Sequence, residues 1–173
     1  VYVLQGLLYD ATGERAVEVV DLLRAKSLPG RHNWQNAAAA YSAVRGLGLT
    51  SQEAADGLMT FSGLAHRMET VAHVGKVRFV NDSKATNADA ARQAMSSYPK
   101  FHWIAGGQPK TGGIDDLTDL FPRIEKAYLI GEAQPAFAKV LKGKAKVAEC
   151  GTIEVATAMA YADALASGQE AVV

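Results

Sequence analysis

The chain has 173 residues, and its 18 Lys and Arg balance 18 Asp and Glu, so the formal net charge is zero. That balance supplies no global attraction for nucleic acid or for an anionic membrane surface. Apolar residues make up 49% and charged residues 21%, the proportions of a globular protein. No apolar run approaches the roughly 18–20 residues of a membrane-spanning helix, and the single cysteine excludes a disulfide framework or a Cys-rich zinc site and favours a reducing compartment.

Residues 1 to about 30 are β-like and rich in turns, with Asp10-Ala-Thr-Gly13 as a turn between apolar runs. Residues 17–24 suit a strand or a short helix, and Leu28-Pro29-Gly30 breaks the chain. Asn33 is a candidate cap for a helix running to about Arg45, in which Trp34, Ala37, Ala38, Tyr41 and Val44 recur at helical steps before Gly46 and Gly48 end it. Thr50-Ser-Gln-Glu53 is a capping-box pattern for a second helix ending near Phe61. From Met68 onward the pattern alternates. Strand-like stretches at 68–73, 77–81, 101–105, 127–130 and 145–149 are interspersed with helix-like stretches at 88–97, 116–120, 133–141 and 153–166. Alternation of this kind predicts an α/β domain with a doubly wound, mainly parallel sheet and helices on both faces. A domain boundary is expected at about residues 62–66. Strand-like runs at both ends, Val1 to Leu8 and Ala171 to Val173, lead to the expectation that the chain is a piece of a longer protein.

Ligands of open α/β sheets sit beyond the carboxyl ends of the strands. Strand 77–81 is followed by Asn81-Asp82-Ser83-Lys84-Ala85-Thr86-Asn87 and then a helix. A helix N-terminus favours anions. Lys84 adds a positive charge, Thr86 a hydroxyl, and Asp82 acceptors that suit the paired hydroxyls of a ribose. The same residues also have a purely structural use, since Thr86 or Asn87 can cap the helix and Asp82 or Ser83 can make a turn. Strand 101–105 leads into Gly106-Gly107-Gln108-Pro109-Lys110, where glycines allow close backbone approach and Lys110 could meet a carboxylate or phosphate, or the loop could be a flexible turn. The spacing is not that of a Walker A loop. At the expected boundary, His66-Arg67 could reach a ligand, or Arg67 could pair with a carboxylate such as Glu69. Cys150 reads as a buried small residue and His102 as structural. No His, Cys and carboxylate cluster has metal-ligand spacing, so no metal site is expected in the chain.

Taken in order, Leu28-Pro-Gly-Arg-His-Asn33, Gly63-Leu-Ala-His-Arg-Met-Glu69, Asn81-Asp-Ser-Lys-Ala-Thr-Asn87 and Gly106-Gly-Gln-Pro-Lys110 resemble the Mur ligase family, and most of all its D-glutamate-adding members. The resemblance implies that residues 1–63 are a β/α remnant of the central ATPase domain and residues 64–173 most of a Rossmann-like C-terminal domain. It implies a cytoplasmic step of peptidoglycan precursor synthesis, with ATP as co-substrate, ADP as product and Mg2+ held mostly by residues outside this chain. The substrates would be UDP-N-acetylmuramoyl-L-alanine and D-glutamate, joined through an acyl phosphate. Residue by residue, Asn36 would contact the adenine, and Arg67 and Asp82 would hold the nucleotide. Lys84, Thr86 and Lys110 would face D-glutamate and the transferring group, with the two lysines catalytic. Ala65 replaces a usual proline, and Gln108-Pro109 a more polar pair. The chain alone would be inactive; its oligomeric state is open with a monomer favoured, and no nucleic-acid or membrane partner is expected. Two rival readings are another amino-acid-adding ligase resembling folylpolyglutamate synthase and a non-catalytic nucleotide-binding α/β module.

Overall fold

The computed structural model describes residues 1–109, 112–167 and 171–172, and it divides into two units, Val1–Leu64 and Ala65–Val173.

In the first unit, β1 (Tyr2–Leu4) and β2 (Leu7–Asp10) form a hairpin that pairs Tyr2 with Tyr9 and Leu4 with Leu7. Gln5 and Gly6 make its two-residue turn, both with positive φ (51° and 88°), the conformation whose twist matches the flanking strands. β3 (Val17–Asp21) adds antiparallel to β2, and the chain then enters a 3-10 turn at Leu22–Arg24, capped by the Asp21 side chain. The ambiguous stretch 17–24 is therefore strand followed by a helical turn. Helix α1 (Arg31–Gly46) starts earlier than Asn33. Gly30, with φ of 87°, occupies the cap position without a side-chain bond, and Asn33 sits in the first turn, where its Nδ2 donates to the Pro29 carbonyl at 2.7 Å. Asn33 thus ties the helix to the preceding turn and does not cap it. Helix α2 (Ser51–Thr60) opens with the capping box that the sequence predicts: Glu53 N donates to Thr50 Oγ1 at 3.2 Å, and Thr50 N donates to Glu53 Oε2 at 2.8 Å. Leu8, Leu22, Leu28, Ala37, Tyr41 and Ala54 form the core of this unit.

In the second unit, β4 (Glu69–Val74) and β5 (Val77–Asn81) form an antiparallel hairpin, and β9 (Ala171–Val172) pairs parallel to β5. Helix α3 (Ala88–Ser96) leads to β6 (Phe101–Gly106), and a 3-10 stretch at Asp115–Arg123 leads to β7 (Ile124–Ile130). Helix α4 (Gln134–Leu141), β8 (Val147–Gly151) and helix α5 (Ile153–Ala166) follow. Strands β6, β7 and β8 form a parallel sheet in that order. The run Ala127-Tyr128-Leu129-Ile130 shows why β7 is central. Alternate side chains point to opposite faces of a strand, so a strand covered on both faces is apolar at every position. Ala127 and Leu129 join the core with Met95, Phe121 and Leu141, whereas Tyr128 and Ile130 pack with Ala156 and Ala160 of α5 on the other face. The α/β architecture with a parallel sheet and helices on both faces agrees with the sequence reading. Cys150 is half-buried beside this second core, and burial pushes its thiol pKa up.

A partly buried polar chain crosses the α5 face. The Tyr128 hydroxyl donates to Asp163 Oδ2 at 2.7 Å, and Lys126 Nζ donates to the same oxygen at 2.8 Å. With its proton committed to Asp163, Tyr128 receives a bond from His102 Nδ1 at 3.0 Å. His102 is therefore structural, as its sequence context suggests.

Candidate functional site

The loop after β5 is shaped by bonds to the segment that precedes β4. His66 and Met68 both adopt left-handed backbone conformations, with φ of 64° and 49°, on either side of Arg67. For residues with a Cβ this costs roughly 1–2 kcal/mol each, so it persists only where the surroundings enforce it. Four hydrogen bonds do so. His66 N donates to Glu69 Oε2 at 2.8 Å, and Met68 N donates to Asp82 Oδ1 at 2.9 Å. Lys84 N donates to the His66 carbonyl at 3.0 Å, and Asn81 Nδ2 bonds His66 Nδ1 at 2.9 Å. Glu69 thus serves the His66 backbone and not the Arg67 guanidinium, contrary to the pairing considered from sequence.

Within the loop, Ala85 N closes a turn onto the Asp82 carbonyl at 2.8 Å, and Ser83 N donates to Asn81 Oδ1 at 3.1 Å. Asn87 caps α3 by accepting from Ala90 N at 2.9 Å, so Thr86 is not the cap, and its side chain is exposed. Lys84 and Arg67 are also exposed, and neither takes part in an ion pair among the described residues. The two tied segments therefore carry two uncommitted cations, a hydroxyl and a carboxylate that already orders the backbone around Arg67. Such a cluster suits an anionic ligand with hydroxyl groups, because charge-assisted bonds to preorganised donors are the strong ones.

The carboxyl ends of β6, β7 and β8 carry glycines for a steric reason. A Cβ on Gly106, whose φ is 143°, would overlap the Ile130 carbonyl oxygen, and one on Gly131 would lie 2.9 Å from Gly107 Cα. Gly107 N donates to Ile130 O at 3.0 Å, Ala133 N to Gly107 O at 2.9 Å, and Gly131 N to Gly151 O at 2.9 Å. Gly106-Gly107 is thus a packed crossing of two strand ends and not merely a flexible turn. Lys110, the charge expected from this loop, lies outside the described residues. Asn36 is exposed on α1 of the first unit. Among the described residues, no group of three or more His, Cys, Asp and Glu side chains could hold a metal ion, and no helix is long and apolar enough to cross a membrane.

Sequence reasoning singled out Arg67, Asp82, Lys84 and Thr86, and the structure brings their segments together. It missed Asn81, whose side chain bonds both segments. The only available signal was an Asn at a strand end, which is common in turns for other reasons.

Comparison with known proteins adds the lineage. No protein-family model matches the chain. The chain is 79% identical over all 173 of its residues to the UDP-N-acetylmuramoylalanine–D-glutamate ligase of Phenylobacterium zucineum (strain HLK1), where it covers 37% of that protein. It is 52% identical over 150 residues to the ligase of the same name from Rhodospirillum rubrum, covering 87% of this chain and 31% of that one. Over its whole length the chain is similar to a segment of such a ligase. Among solved structures it resembles MurF from Acinetobacter baumannii (TM-score 0.66, 19% identity, 96% of this chain and 37% of that chain). It also resembles E. coli FolC in complex with ADP (TM-score 0.56, 20% identity, 97% of this chain and 42% of that chain). At these identities the structural likeness shows the fold alone. The chain spans 37% of the length of the Phenylobacterium relative.

Proposed function

We propose that this chain is part of a cytoplasmic, ATP-dependent amide ligase of peptidoglycan precursor synthesis that adds D-glutamate to UDP-N-acetylmuramoyl-L-alanine. Residues 1–63 would be the end of its ATP-binding domain and residues 64–173 most of its C-terminal domain. The observation that carries the reading is the cross-tied loop Asn81–Asn87, which offers Lys84, Thr86 and Asp82 beside Arg67. The names of the high-identity relatives supply the substrates.

In this reading Asp82, already fixed by Met68 N, also accepts from a ribose hydroxyl, since an ionised carboxylate has about four acceptor sites. Arg67 meets the anionic part of the nucleotide, and Asn36 contacts the adenine. The alanyl carboxylate attacks the γ-phosphorus of ATP, giving an acyl phosphate and ADP. The D-glutamate amine then attacks the acyl carbon, loses a proton, and the tetrahedral species expels phosphate to leave the amide. Charge accumulates on oxygens in both steps. Lys84 and Lys110 would stabilise that charge and Thr86 would orient D-glutamate, the preorganised electrostatics by which such sites lower barriers. Mg2+ would neutralise phosphoryl charge when bound. Among the described residues no group of three or more His, Cys, Asp and Glu side chains would hold it.

The test is amide formation by the full-length enzyme with ATP and UDP-N-acetylmuramoyl-L-alanine, offered D-glutamate, L-glutamate or other amino acids singly. Product with D-glutamate alone is expected. Equal turnover with another amino acid, or chain extension of a glutamyl substrate, would assign the chain to another branch of the amide ligases.

A further inference from the structure

We propose that Asn81 is a positioning residue that makes His66 a hydrogen-bond donor through Nε2, and so excludes it as the general base of the reaction. The Ser83 backbone sets the orientation of the Asn81 amide. Its N–H can only donate, and it lies 3.1 Å from the Asn81 side-chain oxygen, which fixes the orientation of the amide. The NH2 group of Asn81 must then be the atom at 2.9 Å from His66 Nδ1. An amide NH2 has no acceptor capacity, so Nδ1 accepts and carries no proton. The ring proton of the neutral imidazole is therefore on Nε2.

Two consequences follow for the site. Of the two ring nitrogens, Nε2 is the one left for a ligand, and it presents an N–H. His66 is exposed and precedes the exposed Arg67, so a neutral donor and a cation stand on adjacent residues, a combination suited to a phosphoryl group. A ring in this state cannot take the proton that the amine must lose as it attacks, because its basic nitrogen is occupied by Asn81. The amide also links the two segments of the site directly, through His66 on one side and Ser83, next to Lys84, on the other. Asn81 thereby couples the tautomer of His66 to the placement of the Asp82–Lys84 turn.

The assignment of the tautomer stands independently of the proposed function, whereas the donor role rests on it. Two measurements separate them. In the full-length protein with 15N-labelled histidine, two-bond 1H–15N spectra at neutral pH are expected to show His66 Nδ1 as the unprotonated nitrogen. Asn81→Asp keeps an acceptor for Ser83 N–H but presents only acceptors to the ring. It is expected to move the proton to Nδ1 or to give the imidazolium. An unchanged His66 pattern in Asn81→Asp, or a protonated Nδ1 in the wild type, would overturn the proposal whether or not the protein turns over. In the amide-forming assay, His66→Gln retains an N–H donor but no base. It is expected to lower kcat/KM by less than about 100-fold, the lower bound for loss of a general base. A loss of about 100-fold or more, concentrated in kcat, would overturn the donor role. Absence of any D-glutamate turnover in the wild type would instead refute the proposed function and leave the spectra to decide on Asn81.

Discussion

Replacing Asp10 by Asn tests how the first unit is held together. Asp10 ends β2, and its Oδ1 accepts from Thr12 N at 3.0 Å and from the Thr12 hydroxyl at 2.6 Å. Its Oδ2 accepts from the buried Tyr41 hydroxyl at 2.8 Å, with Arg45 Nε 3.8 Å away. These donors, those of Thr12 foremost, hold the carboxyl pKa at about 2 against an ordinary 3.8. At 1.36 kcal/mol per pH unit the difference corresponds to about 2.4 kcal/mol, an upper bound that exposure to solvent reduces to roughly 1–2 kcal/mol. The folded value lies below the unfolded one, so the stabilisation is complete well above pH 3.8 and is lost as the pH falls toward 2. About half should remain near pH 3 and under a fifth near pH 2, that is, ~0.2–0.4 kcal/mol. Urea unfolding of wild type and Asp10→Asn, measured side by side at pH 7, 3 and 2, reads this directly. The gap between them should be largest at pH 7 and nearly closed at pH 2. A gap that is constant with pH, or absent at pH 7, would refute the assigned bonding of Asp10.

Three further outcomes are expected. Gly106→Ala should destabilise the second unit by about 2 kcal/mol or more, since it adds a Cβ at a φ of 143° against the Ile130 carbonyl; a melting temperature unchanged from wild type would contradict the packed crossing of β6 and β7. Burial holds the pKa of His102 below its ordinary 6.5, so protonation disfavours the fold and stability should decline as the pH falls through 6.5; an NMR titration midpoint above 6.5 would contradict this. In the full-length enzyme, Asp82→Ala should weaken nucleotide binding by roughly 10- to 150-fold, the worth of one charge-assisted bond; calorimetry showing a change below about threefold would remove Asp82 from the nucleotide site.

The elements that sequence reading places well are those in which local chemistry and burial agree. The Thr50–Glu53 box, the apolar run of β7 and the helix formers of α5 each state the same structure at two levels. The misses are positional. Asn33 is a good cap by type, yet Gly30 lies one turn earlier with the backbone angle needed to enter the helix, and Asn33 bonds back to Pro29. Strand β7 begins at Ile124, not Ala127, because pairing with Phe101 and His102 recruits the polar residues 125–126 that the apolar pattern omits. At the candidate site, the residue types were legible and the geometry was not. Left-handed backbone at His66 and Met68 leaves no mark in the sequence when the residues are not glycine, and it arises from bonds to Glu69 and Asp82. The glycines at 106 and 131 were visible, but their reason, contact between the ends of β6 and β7, depends on tertiary structure.

The most direct test of the account is the kinetics of Lys84→Ala in the full-length enzyme. Lys84 is exposed on a loop whose backbone is fixed by His66, so truncating its side chain should leave the loop in place and remove one positive charge. If that charge meets the transferring group, kcat/KM for D-glutamate should fall by more than about 150-fold, beyond the loss of a ground-state bond. A decrease below about threefold would contradict the assignment of this loop to the reaction.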